Sequence, residues 1–166
     1  MAYQLEEINR RLKENPAGFV AECDGVYQKR LESAADRILE RMKESPIVLL
    51  SGPSGSGKTT TALKLEQELE RRGVQTHTIS MDNYFKTLNR KTAPRNAEGD
   101  IDYESPKLLD MDLLDETFTK LSRGEWVVVP KFEFARQMRN DSRGTLLKLD
   151  KNEIAIFEGI HALNDD

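Results

Sequence analysis

Residues 52–60 read GPSGSGKTT and lie between the apolar run PIVLL and the helical pattern TALKLEQELERR. Gly52, Gly57, Lys58 and Thr59 satisfy G-x-x-x-x-G-K-[ST], a pattern whose residue types suit a bound polyphosphate. Glycines let the backbone curl so that successive N–H groups aim at one anion. A helix starting at Lys58 adds the positive end of its dipole. Lys58 places a compact charge on the outer phosphates, and the Thr59 hydroxyl can ligate Mg²⁺. The expected nucleotide-holding set is Gly52, Ser54, Gly55, Ser56, Gly57, Lys58, Thr59 and Thr60. The bland alternative, a glycine-rich turn with a surface lysine, leaves the flanking strand and helix patterns unexplained.

Two acids stand at the ends of other apolar runs. ISMDNYF, residues 79–85, places Asp82 at the tip of a predicted strand, and ligands of open α/β sheets sit at strand C-termini. Asp82 can accept the proton of an attacking hydroxyl or help order Mg²⁺; its structural alternative is a helix or turn cap. Tyr84 and Phe85 follow directly, and from spacing alone they are as well suited to the core as to a ligand. IAIFEGIHALN places Glu158 after four apolar residues, where an acid holds Mg²⁺ directly or through water; the alternative is an ordinary loop acid. His161 reads as structural, and His77, mid-strand, is assigned no role.

A phosphate loop does not name the acceptor, and three classes compete: a GTPase switch, an ATP-driven motor and a small-molecule kinase. The chain holds no N-K-x-D with which to read guanine. Asp141-Ser142-Arg143-Gly144 matches D-x-x-G by letter, but it precedes a predicted strand and reads as a turn. A motor domain is usually longer than 166 residues.

The elements around these residues alternate strand and helix. Strands are predicted at Ile47–Leu50 (a central parallel strand), Val74–Met81, Trp126–Pro130 and Ile154–Phe157, with Thr145–Leu149 pairing near 131–134. Helices are predicted at Thr59–Arg72, stopped by Gly73, and at Met111–Ser122, stopped by Gly124. Residues 86–105 are polar and irregular, as expected of a mobile loop. Ahead of all this come a short polar helix at residues 2–14 and a longer one from Pro16 to Lys43. The longer one carries Cys23, Tyr27, Leu31, Ala34, Ile38 and Met42 on one stripe. It reads as a helix docked on the body of the protein, with a dimerisation helix or a linker from an upstream domain as the alternative. The pattern implies parallel βαβ units and an α/β sheet.

Composition narrows the partners. Lys plus Arg is 25 and Asp plus Glu 29, a net charge of −4, which argues against general nucleic-acid binding. No apolar stretch approaches a membrane span, and the N-terminus lacks a signal-peptide core. The single cysteine, Cys23, reads as a buried small hydrophobe in a reducing compartment. The expected location is the cytoplasm.

Taken in order, GPSGSGKTT, MDNYF and FEGIHALN resemble the uridine kinase and phosphoribulokinase group of P-loop kinases. DIDYESPKLLDMDLL is similar to that group's aromatic–acid–x–Pro segment, and VVVPKFEFARQMR to its strand that normally ends Tyr-Asp-Phe. The resemblance covers roughly residues 46–164 and is nearest to the bacterial uridine kinase-like nucleoside kinases. It implies that Asp82 is the base activating a sugar 5′-hydroxyl and that Glu158 is the Mg²⁺-linked acid. Tyr103 and Glu104 would contact the nucleoside, Phe132 and Phe134 would line a base pocket, and Arg139 would lie on the substrate side. There are departures: Glu104 stands where the group has Asp, Phe132 where it has a tyrosine hydroxyl, and Gln137 near a histidine. Lost polar readers mean lost discrimination. The resemblance also implies an arginine-bearing lid, a further strand and an adenine-contacting loop beyond Asp166, so the domain is expected to be C-terminally incomplete, with an unusually reduced member of the group as the alternative.

The expectation is therefore a P-loop NTPase fold, α/β, with a mostly parallel sheet flanked by helices. Residues 1–45 form an N-terminal helical extension and 46–166 the kinase domain. ATP and Mg²⁺ serve as cofactors, Asp82 and Lys58 as catalytic residues, and Thr59 and Glu158 as metal ligands. Tyr84, Phe85, Tyr103, Glu104, Phe132, Phe134 and Arg139 bind a nucleoside-like acceptor. The rivals are a kinase of another hydroxylated metabolite, phosphoribulokinase- or pantothenate kinase-like, and a nucleotide-binding regulatory module without transfer activity. A homo-oligomer through the N-terminal helix is the one protein partner anticipated.

Overall fold

The computed structural model describes residues 3–164. Met1, Ala2, Asp165 and Asp166 lie outside it, and with them the first residue of the expected N-terminal helix. The order of elements is α1 (Leu5–Glu14), α2 (Pro16–Arg41), β1 (Ile47–Ser51), α3 (Lys58–Arg71), β2 (Gln75–Ser80), α4 (Met111–Ser122), β3 (Val127–Glu133), β4 (Met138–Leu147) and β5 (Glu153–Gly159).

β1, β5 and β2 form a parallel sheet in that order, and helices cover both of its faces. β5 explains the arrangement. Its alternate residues point to opposite faces, as in any strand. Ile154 and Ile156 enter one core with Leu31 and Ala35 of α2 and Ala62, Leu65 and Leu69 of α3. Ala155 and Phe157 enter the other with Leu114 and Leu121 of α4, Val127 and Val129 of β3 and Leu147 of β4. Burying each large apolar side chain contributes about 1.5–3 kcal/mol. An apolar run covered on both sides therefore sits best in the middle.

That places β5, not β1, at the centre. β1 was expected there, but it takes an outer position, with Leu49 38% exposed. The stripe on α2 packs as its spacing predicts through Tyr27, Leu31, Ala34, Ile38 and Met42, with Ala35 added. Cys23 is half-buried rather than buried, because the first half of α2 extends past the α3 contact. Asn15 accepts from the Gly18 N–H at 3.0 Å and caps α2, with Pro16 at its first turn.

The alternating pattern also predicts a parallel role for the strand at Trp126–Pro130, and here the structure differs. β3 pairs antiparallel with β4 in a separate two-stranded sheet. Only the short turn Phe134–Gln137 joins them, and a parallel crossover needs a dozen residues or more. Thr145 and Leu147 face Val129 and Val127, while Lys131–Glu133 face residues 140–138, so the expected pairing is displaced. The Asp141–Gly144 stretch, expected as a turn, lies inside β4.

Candidate active site

Register brings the chemistry together. Leu50 lies opposite Glu158 on one side of β5, and Ser80 lies opposite Glu158 on the other. The three strands thus end level. The loop after β1, the acid at the end of β5 and the turn after β2 emerge at one sheet edge. Asp82 was expected on the strand next to the phosphate loop. β5 in fact separates β2 from β1, and Asp82 reaches the site from the far side of Glu158. Ser51 Oγ donates to the Ile160 carbonyl at 3.2 Å and ties the ends of β1 and β5.

The phosphate loop has the form its glycines allow. Gly55 and Gly57 have φ of 71° and 85°, left-handed values that side-chain-bearing residues rarely adopt. Gly57 is the residue preceding α3, so the helix opens directly under the loop, its first N–H groups free of intrahelical partners. Lys58 Nζ donates to the Pro53 carbonyl at 3.1 Å, folding back over the loop. Thr59 Oγ1 lies 3.4 Å from Glu158 Oε1. Glu158 is only 7% exposed. At Gly159 an added Cβ would stand 2.9 Å from Met81 Cβ, so glycine here lets the chain carrying Asp82 approach the end of β5.

One cleft of about 350 Å³ collects these groups: Ser54, Gly55, Lys58, Thr59, Asp82, Phe85, Tyr103, Glu104, Glu158, Gly159 and Ile160 line it. Burial, and then the negative charge of Glu158, push the Asp82 carboxyl above its ordinary value; Lys58 and His161 pull the other way. A carboxylate that holds its proton more tightly is a stronger base toward a hydroxyl. A smaller apolar pocket of about 130 Å³ is lined by Phe85, Lys86, Leu88, Tyr103, Leu108, Phe132, Phe134 and Gln137. Phe85 and Tyr103 line both spaces. Phe132 sits at the centre of a ring cluster, with centroids 5.7 Å from Phe85 and 5.1 Å from Phe134.

The geometry suits a divalent cation that arrives with its nucleotide. Among the described residues no three His, Cys, Asp or Glu side chains converge to hold a metal unaided. A hydroxyl and a carboxylate do converge at Thr59 and Glu158. Mg²⁺ characteristically binds through one or two carboxylates plus substrate phosphates, and the donor set fits that mode.

Two expected substrate residues do not reach either space. Tyr84 is wholly buried among Phe157, Leu109 and Leu114, because its turn directs it under α4 while Phe85 points outward. Arg139 is engaged by Asp110 at 2.5 Å and Asp141 at 2.9 Å, so its guanidinium caps a structural network at the start of α4. Burial acts to raise the Asp110 carboxyl, but the Arg139 hydrogen bond and the Leu113 N–H outweigh it and hold it below its ordinary value. Gly52, Ser56, Gly57 and Thr60 belong to the loop and to α3 but do not line the cleft. Lys86, Leu88 and Leu108 line the apolar pocket without having been singled out; for Lys86 the signal was its place after Phe85. Gln137 was noted only as a departure from a histidine. It has φ of 52°, the one left-handed non-glycine among the described residues, which no sequence pattern announced. His77, in β2, meets Glu153 at 3.3 Å, away from the site.

A sequence model of the Phosphoribulokinase / Uridine kinase family matches residues 47–166. The chain is 35% identical over 117 residues to a uridine kinase of Schizosaccharomyces pombe, covering 70% of this chain and 25% of that protein. It is 32% identical over 124 residues to a uridine kinase of Staphylococcus aureus, covering 75% of this chain and 56% of that one. The chain thus spans between a quarter and just over half of these relatives. A crystal structure of a putative fructose transport system kinase from Silicibacter sp. superposes with a TM-score of 0.66 at 25% identity. That match covers 82% of this chain and 66% of that chain.

Proposed function

This chain belongs to the phosphoribulokinase/uridine kinase family, and we propose that it transfers the γ-phosphoryl group of ATP to a hydroxyl of a nucleoside-like small molecule. One observation carries the reading. Lys58, Thr59, Asp82 and Glu158 share a cleft that continues, past Phe85 and Tyr103, into an aromatic-lined pocket.

The nucleotide's phosphates lie on the loop, where the amides of residues 55–59 and the helix dipole meet their charge. Lys58 leaves the Pro53 carbonyl and turns to the outer phosphates. Thr59 and Glu158 would hold Mg²⁺, which neutralises phosphate charge when bound. The acceptor's flat group packs among Phe85, Tyr103, Phe132 and Phe134, and its hydroxyl points to Asp82. The hydroxyl oxygen forms a bond to the γ-phosphorus, the bond to the β-phosphate oxygen breaks, and ADP leaves. The hydroxyl proton passes to the Asp82 carboxylate, whose raised proton affinity suits it to that task. Catalysis here is chiefly positioning and charge stabilisation.

A second reading keeps the transfer and changes the acceptor. Phe132 offers no hydrogen bond to a base, and the pocket around it is apolar. The likeness to a putative fructose transport system kinase points to a sugar-like hydroxyl compound instead.

The test incubates the chain with Mg·ATP and a panel of nucleosides, sugars and hydroxy acids, separates products by chromatography, and uses Lys58→Ala as control. A nucleoside monophosphate that disappears in the variant supports the first reading. A phosphorylated sugar or acid supports the second. Tight ATP binding without product from any acceptor refutes both in favour of a nucleotide-binding module.

A further inference from the structure

Residues 86–105 contain no helix or strand, only an isolated bridge between Arg95 and Ile101. Yet this segment delivers Tyr103 and Glu104 to the cleft. Its internal bonds, such as Asp102 N–H to the Pro94 carbonyl at 2.9 Å, shape the segment without attaching it to the sheet. Its attachments are few. Lys86 N–H donates to the Leu108 carbonyl at 2.8 Å, Leu88 N–H to the Gln137 carbonyl at 3.0 Å, and Arg139 N–H to Thr87 Oγ1 at 3.1 Å, while Gln137 Nε2 lies 3.4 Å from Tyr103 Oη. The bonds with Gln137 and Arg139 lead to the β3–β4 hairpin. Another leads to the edge that carries the reacting groups: His161 Nε2 lies 2.7 Å from the Glu104 carbonyl oxygen, across 57 residues of sequence.

A carbonyl oxygen only accepts, so Nε2 carries the proton in this contact. Both the Nε2–H neutral ring and the imidazolium make the same bond. His161 follows Glu158 by three residues, and β5 ends at the intervening Gly159. The tethered peptide joins Glu104 to Ser105, and Ser105 is buried beside the turn leading into α4. Fixing that carbonyl therefore sets how close Tyr103 and Glu104 stand to Asp82 and Glu158.

We infer that His161 is a positioning residue: by donating to the Glu104 carbonyl it clamps the 86–105 segment to the end of β5 and holds the acceptor wall of the cleft in place. The inference rests on reading that cleft as the acceptor site. His161 touches neither phosphate nor acceptor in this role; its effect passes through Tyr103 and Glu104.

The experiment compares His161→Ala and His161→Gln with the parent chain in two assays. One is amide hydrogen exchange at residues 100–105. The other is steady-state kinetics with the best acceptor of the panel. A single hydrogen bond of ordinary strength corresponds to an effect of roughly two- to tenfold. His161→Ala should speed exchange in that segment and raise acceptor KM by roughly that factor, with kcat and the KM for ATP moving less. His161→Gln places an amide donor at similar reach and should recover most of both effects. Unchanged exchange in His161→Ala overturns the tether, whether or not any acceptor is turned over. Faster exchange with unchanged acceptor KM overturns the positioning role, as does a glutamine variant as impaired as the alanine one. If the parent chain turns over no acceptor, the phosphoryl-transfer reading fails, and the positioning role falls with it, while exchange still reports on the bond.

Discussion

Replacing Asp82 by asparagine should separate activity from stability, moving them in opposite directions. The side chain is half-buried at the edge of the sheet, and its pKa is raised first by burial and then by Glu158. An unfolded aspartate titrates near pH ~3.9. A folded value above that means the native state binds the proton more tightly than the unfolded one. Between the two values native Asp82 holds more protons, so its contribution to stability improves as pH falls through that window and is least favourable above it. At neutral pH the ionised side chain therefore costs the fold free energy that asparagine, uncharged and nearly the same shape, does not. Asp82→Asn should raise the thermal midpoint at pH 7, and the gain over the parent should shrink as pH falls through the same window. Transfer should move the other way. Removing a positioned general base costs about 10²–10⁴-fold in rate. Parent kcat/KM should fall on the acid side as Asp82 takes its proton, and the variant should lack that limb. Thermal melts and pH–rate profiles of both proteins decide the matter. Near-parent transfer by the variant would refute the base assignment. A lower thermal midpoint at pH 7 would refute the electrostatic account of the site.

Other perturbations test neighbouring parts. Lys58→Ala should weaken ATP binding and abolish transfer while leaving the melting curve nearly unchanged, since its one bond is to an exposed loop carbonyl; isothermal titration and calorimetry check both. Arg139→Ala should cost about 1.5–3 kcal/mol of stability, the worth of a hydrogen bond to a charged group, and leave acceptor KM unchanged, because the guanidinium serves Asp110 and Asp141. Asp110, held below its ordinary value, contributes stability that is present above pH ~3.9 and lost as pH falls through its folded pKa, so Arg139→Ala should be less costly in strong acid. Leu69→Ala, fully buried between α2 and β5, should cost about 2–5 kcal/mol by urea denaturation, with no change in acceptor preference.

Much of the site was legible because its signals are local. GPSGSGKTT states its own backbone needs, and the loop adopts the left-handed glycines and the helix start that the pattern requires. Glu158 could be placed by four preceding apolar residues, and α4 was bounded correctly from its periodicity and from Gly124. MDNYF was harder. A 3₁₀ turn from Met81 to Tyr84 decides which of two adjacent rings enters the core, and turn geometry sends Tyr84 inward and Phe85 to the cleft. The ion pair of Arg139 was illegible for a related reason: its partner Asp110 lies 29 residues away, and no spacing rule reveals a distant ion pair.

By itself the sequence determined the groups on offer: a glycine-rich loop opening a helix, two acids at strand ends, aromatic side chains in the intervening segments, and a stripe that docks α2. These follow from backbone preferences and from periodicities of a few residues, which the chain encodes wherever it lies. The tertiary structure alone decided strand order, the antiparallel β3–β4 hairpin, the left-handed Gln137 and the bond from His161 to Glu104. Each depends on contacts between segments tens of residues apart, where the free energy of burying β5 on both faces selects one arrangement from many that the local pattern allows.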